Sequence, residues 1–287
     1  MKKLSSILAS ALAMLAFSYP VASADELKHV RNLGYDFETC VQTAAGSSLS
    51  ALTSERRQQV SAQCTRESLP KANARLKQAV QDVLNRPQDE DAPDLPVEAN
   101  LKKAVEHLED FKSDIGAVML MIMSMEKADI RNQQYQLAVT VHFTDIINDF
   151  AHKFDPGERD KEYLALRNRY TYRQYQQAFP GMDKCMKNAT AMTEMYDCSG
   201  KAIKKQDEKL NKLYKKIMKR VGNDRHLKPA IKEMEVDWIK YKEAGAEFVS
   251  STDTGSMVRL DAMDFVLEST MLQNELLELI LDRLEND

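Results

Sequence analysis

The sequence predicts an all-α protein, and three observations carry that reading. Apolar residues recur three or four positions apart along nearly every segment, no stretch keeps the two-residue alternation of a half-buried strand, and only 9 Gly and 8 Pro punctuate the 287 residues. Hydrophobic residues at 43% and charged residues at 29% are too balanced for a disordered tail, and glycine is too sparse for a collagenous or low-complexity chain. The net charge is −4, and no basic run interleaves with aromatic residues, so composition offers no electrostatic footprint for nucleic acid.

Residues 1–24 read as a secretory signal. Lys2 and Lys3 precede an apolar core from Ile7 to Phe17, Ser18-Tyr19-Pro20 breaks it, and Ala22-Ser23-Ala24 supplies the small residues a signal peptidase needs, which predicts cleavage after Ala24. As a helix that core would span roughly 16 Å, short of the ~30 Å of a hydrocarbon layer. No later apolar run is long enough to span a bilayer, so the expected product is periplasmic or secreted, with no membrane span after cleavage. Loss of Lys2 and Lys3 leaves 263 residues at a net charge of −6. Cys40, Cys64, Cys185 and Cys198 all remain, and an even number in an oxidising compartment points to disulfides. Three connectivities are possible. Cys40 with Cys64 and Cys185 with Cys198 is the simplest, and no CxxC or HxxxH spacing supports metal ligation instead.

Leu27, Val30, Leu33, Phe37 and Val41 form a first stripe that fades at Gly46-Ser47-Ser48. A second helix is expected after Thr53, yielding at Pro70 to a third that carries Leu76, Val80 and Leu84, because proline suits a first turn better than an interior. Residues 86–97 combine three prolines with four acids and read as a loop. The longest pattern follows, from Leu101 to Met125. It turns wholly apolar after Ile115, which predicts the centre of a bundle. A helix with Leu137, Val141, Ile147 and Phe150 comes next, then a capping box at Asp155–Glu158, a helix over Tyr163, Leu166 and Tyr170, and a stop at Phe179-Pro180-Gly181. The stop sets the expected organisation: signal 1–24, an amino-terminal helical bundle of unknown function 25–180, and a small disulfide-bearing helical domain 181–287. Within the latter, residues 201–228 carry a net charge of +8 and residues 229–287 carry −9, so neighbouring helices are expected to pair their charges.

Candidate chemistry is thin. There is no glycine-rich phosphate loop, G-x-S-x-G elbow or HExxH, and the five histidines stand at no ligand spacing, so no catalytic, cofactor or metal site is expected. Met119, Met121, Met123 and Met125 point to alternating sides of a helix and serve packing; only Met192 and Met195 share a face that could offer thioethers to a soft ion.

From Cys185 onward a set of elements recurs in a fixed order: Cys185, Glu194-Met195-x-x-Cys198, Asp207-x-x-Leu210-Asn211-x-x-Tyr214, Trp238-x-x-Tyr241-Lys242-Glu243 and Gly255-Ser256-Met257. In these the last hundred or so residues resemble the LprI-type lysozyme-inhibitor family of small helical envelope domains. The resemblance implies a binding protein that blocks lysozyme, rather than an enzyme. It also implies two further cysteines where Ala246 and Phe265 stand, and their joint absence leaves Cys185 and Cys198 as partners. Lys242 and Glu243 replace the usual Arg and Asp, keeping charge and losing the guanidinium fork. Thirteen residues on one straight helix would hold two cysteines ~20 Å apart, so the chain must turn between Cys185 and Cys198, with Asn188 or Thr190 as a cap. The small polar run Ser250, Ser251, Thr252, Asp253, Thr254, Gly255 and Ser256, ending at Met257, is the expected partner-binding loop. The expected partner is lysozyme, with another envelope protein as the alternative.

Overall fold

The computed structural model describes residues 33–45, 53–85, 95–123, 125–152 and 181–286. The expected signal and its cleavage point, most of the 86–97 loop, the capping box at Asp155–Glu158 and the helix over Tyr163–Tyr170 lie outside the described residues. Eight helices and no strand occur among the described ones: α1 (Gly34–Ala45), α2 (Ser54–Leu84), α3 (Val97–Ile122), α4 (Met125–His152), α5 (Met182–Asn188), α6 (Met192–Val221), α7 (Leu227–Ser250) and α8 (Ser256–Asn286). The protein is all-α.

Several boundaries differ from the sequence expectation for identifiable reasons. α2 begins at its Thr53 cap, whose side chain accepts from the Arg56 amide, and then runs unbroken through Pro70. Proline withholds an N–H from the carbonyl four residues back, but Pro70 and Arg66 both lie on the exposed face, where water can satisfy that carbonyl. α3 stops at Ile122 because Met123 adopts an extended conformation, so Met125 opens α4 instead of ending α3. Neither Gly nor Pro marks that corner. The expected centre of the bundle is also elsewhere: Leu120 and Met121, in the wholly apolar end of α3, are 59% and 50% exposed. α8 takes the central place. Its buried residues run round all sides from Val258 to Leu281, and it packs on α6, α7, α4 and α3.

The helices on either side of residue 180 share one core. α3 packs antiparallel along α7, with Lys103 Nζ 2.8 Å from Glu247 Oε2 at one end and the Phe111 and Tyr241 rings stacked 6.1 Å apart further along. Phe143 of α4 lies 5.7 Å from Tyr241, 6.2 Å from Phe248 and 6.1 Å from Phe265. His142 stacks on Phe265 and bonds Glu268 at 3.0 Å. The boundary at 180 is thus a change in sequence character across which packing is continuous.

Phe265 holds the middle of this cluster. It is fully buried, and a Cβ added to Gly245 would come within 2.2 Å of its Cζ. At Phe265 and next to Ala246, the two places where the family resemblance implies a cysteine pair, the helices are held by the Phe265 ring seated on Gly245. Gly34 makes a similar close approach at the start of α1, with φ of +80° and Val141 2.9 Å from where its Cβ would be.

Gly245→Ala should lower stability by about 1–3 kcal/mol in urea unfolding, and Gly245→Ala with Phe265→Leu should recover part of the loss. Residues 181–287 expressed alone expose Tyr241, Phe248 and Phe265 and should show no cooperative thermal transition; a sharp melt monitored by near-UV circular dichroism would contradict the shared core.

Candidate functional site

The predicted loop is the corner between α7 and α8, and its residues fall into two groups. Ser251 and Thr252 are buried, their hydroxyls donating to the Phe248 carbonyl at 2.7 Å and the Val249 carbonyl at 2.8 Å. These bonds satisfy carbonyls that the helix end leaves open, so both hydroxyls are consumed within the chain. Ser250, Asp253, Thr254, Gly255 and Ser256 are exposed. The Gly255 amide donates to Asp253 Oδ1 at 2.9 Å, a tight Asx turn. The Tyr196 hydroxyl donates to the Ser256 carbonyl at 2.6 Å, and Arg259 lies over the Tyr196 ring, so the corner is pinned to α6. Beside it runs a shallow open groove lined by Leu95, Pro96, Asn100, Lys242, Glu247 and Ser250.

The motif residues around the corner are chiefly structural. Trp238 and Tyr241 are buried, and the Lys242 ammonium lies 4.4 Å from the Trp238 ring centroid. Lys242 therefore substitutes for the arginine of the resemblance with a cation–π contact. The two bridges are Cys40–Cys64, with Cα atoms 5.5 Å apart, and Cys185–Cys198, at 5.9 Å. The first ties α1 to α2 and the second ties α5 to α6. Cys185 sits in the short helix α5, and the chain turns at residues 189–191. Glu194 closes that turn, accepting from the Thr190 amide at 2.6 Å, the Thr190 hydroxyl at 3.1 Å and the Ala191 amide at 3.3 Å. These bonds hold its carboxyl below the usual range.

Two acidic features were not singled out from the sequence. On the α3–α7 seam, Asp114 meets Asp237. Burial, then the hydrogen bond and charge of Asp237, then the charges of Glu233 and Asp110, push Asp114 up to about 6. Burial also pushes Asp237 upward, but the Lys240 ammonium at 2.6 Å and the bond with Asp114 outweigh it and hold Asp237 low. Of the two, Asp114 is the one that takes up a proton first as pH falls. The four-residue steps Asp110–Asp114 and Glu233–Asp237 were the available signal, but only the antiparallel packing brings the two ladders face to face. The second feature is Glu235, buried between α7 and α8, where its carboxyl accepts from Gln273 Nε2. Burial pushes it up to about 7, against the opposing effects of that bond and of Lys242. Among the described residues no group of three or more His, Cys, Asp or Glu is placed to hold a metal, and no helix is long and apolar enough to cross a membrane.

Residues 185–285 match the family model described as Lysozyme inhibitor LprI. No curated protein and no solved structure matches the chain.

Glu235 has a folded-state pKa above its ordinary 4.5, so its stabilising effect is complete below about 4.5 and is lost as pH rises through about 7. Wild-type stability should fall across that window. Glu235→Gln keeps an acceptor for Gln273 and should flatten the fall, with a gain on the order of 1 kcal/mol at pH 8; denaturant midpoints measured at pH 5 and pH 8 check it.

Proposed function

We propose that the chain is an exported inhibitor of lysozyme, acting in the periplasm or outside the cell, and that the α7–α8 corner is the element that meets the enzyme. The match of residues 185–285 to the inhibitor family carries this reading. Two disulfides and the signal-like first 24 residues are consistent with export. The corner suits the role because its exposed tip, Asp253 to Ser256, is small and polar, and because the Tyr196 bond and the Asx turn fix its shape before any partner arrives. A pre-shaped element loses little conformational freedom on docking. Lysozyme is a basic protein, and the carboxylates of Asp110, Asp114, Glu233 and Asp237 would favour its approach. On this reading residues 25–180 form the supporting part of the molecule, with α3 and α4 backing the helices that carry the corner.

A second reading has its own support. The face bearing Tyr241, Phe248 and Phe265 is occupied by the chain's own α3 and α4, and the cysteine pair implied by the family resemblance is absent. A module so altered could serve as a helical scaffold for another envelope protein without inhibiting lysozyme.

The chain lacking residues 1–24 should slow lysis of peptidoglycan by lysozyme in a turbidity assay, and an unchanged rate at large molar excess would leave the scaffold reading in place. Asp253→Ala with Thr254→Arg should weaken inhibition roughly tenfold or more while leaving the melting temperature unchanged.

A further inference from the structure

The most one-sided charged surface outside the corner is the outer face of α6. From Lys209 to Arg220 the helix carries Lys209, Lys212, Lys215, Lys216, Lys219 and Arg220 and no acid. For the lysines in the second half of this run, the expected charge pairing with the acidic helices is not made among the described residues, and the way the helices pack accounts for it. α6 and α8 run parallel, as the contacts Tyr196–Ser256, Gln206–Asn274 and Arg220–Leu284 show. The acids of α8 are mostly half-buried. Glu278 pairs with Lys209 at 2.8 Å, while Glu268 bonds His142. Lys212, Lys215, Lys216 and Lys219 are exposed, and none forms an ion pair among the described residues. Neutralisation of the helix dipole accounts for Lys219 and Arg220 in the last turn, but not for the lysines further up.

We propose that this face is an electrostatic docking surface for an anionic lipid bilayer. The lysines line one side of a helix that the Cys185–Cys198 bridge and the contacts to α8 hold in place. From Lys209 to Arg220 the acid-free run is ~17 Å long; beyond the exposed Glu208 the same face continues with Lys204 and Lys201. Such a straight bar matches a planar layer of phosphate headgroups better than it matches a single phosphate, for which it offers no cleft. Compact ammonium charges count headgroups without demanding the bidentate geometry of arginine. No aromatic ring is exposed among the lysines, so the face lacks the stacking platform of a single-stranded nucleic-acid site. No described helix is long and apolar enough to cross a bilayer, and a contact made by exposed lysines would be screened by salt. This proposal does not rest on the lysozyme reading.

The test is co-sedimentation of the chain lacking residues 1–24, which retains every described helix, with vesicles of phosphatidylglycerol and phosphatidylcholine or of phosphatidylcholine alone. Binding should require phosphatidylglycerol and should be lost at high salt. Replacing Lys212, Lys215, Lys216 and Lys219 together by Gln should weaken it roughly tenfold or more. The matched variant with Lys71, Lys77, Lys184 and Lys232 replaced by Gln should stay within about twofold, since only local charge matters beyond a Debye length. Equal losses in the two variants would reduce the effect to net charge and overturn the proposal. So would binding to neutral vesicles, absence of binding, or full displacement by soluble polyphosphate at matched phosphate concentration, which would assign the face to free polyanions.

Discussion

The seat of Phe265 on Gly245 is the constraint on which the rest of the packing depends. Glycine lets α7 and α8 approach until ring meets backbone, and the ring then presents its edges and faces to Tyr241, Phe143 and His142. Aromatic pairs at these separations contribute beyond the area they bury. Because Phe143 and His142 belong to α4, the contact that closes the carboxy-terminal helices on each other also gathers the amino-terminal ones. A disulfide between the same two helices would join them without offering any surface to α4.

Charge is distributed by the same packing. The antiparallel pairing of α3 with α7 sets acid against acid at Asp114 and Asp237, which raises Asp114 while Lys240 holds Asp237 low. The parallel run of α6 beside α8 leaves the lysines facing outward. The molecule consequently shows a carboxylate seam on one pair of helices and an ammonium strip on another, although its overall charge is small.

How much of this was legible in the sequence follows from what helical periodicity encodes. Spacing tells which side of a helix is buried, and Leu101, Leu108, Phe111, Ile115, Leu210, Leu213, Ile217, Trp238 and Tyr241 are buried as their stripes predict. Local cysteine pairing was legible too, because both bridges close short loops. Spacing does not tell which helix lies opposite. The seam of Phe111 on Tyr241 and the meeting of two carboxyls depend on partners more than a hundred residues away in sequence, and the central place of α8 on four helices, two of them from before residue 180. α8 was hidden because Gln273, Asn274, Ser269 and Thr270 interrupt its apolar pattern, yet all four are buried. Asn274 bonds Gln206 and Gln273 bonds Glu235. At the corner, the polarity of Ser251 and Thr252 was visible in the sequence, but not that their hydroxyls turn inward to cap α7.

The two disulfides span only 24 and 13 residues, and neither crosses from one half of the chain to the other. For a chain threaded through a translocation channel from its amino terminus, each bridge can close as soon as its own short segment has emerged. In such a passage Cys40 could meet Cys64 while the rest was still in transit, and Cys185 could meet Cys198 before α7 and α8 arrived. Because both spans are short, oxidation does not depend on the long-range assembly of the aromatic core, and once both bridges are closed no unpaired thiol is left for later segments to capture.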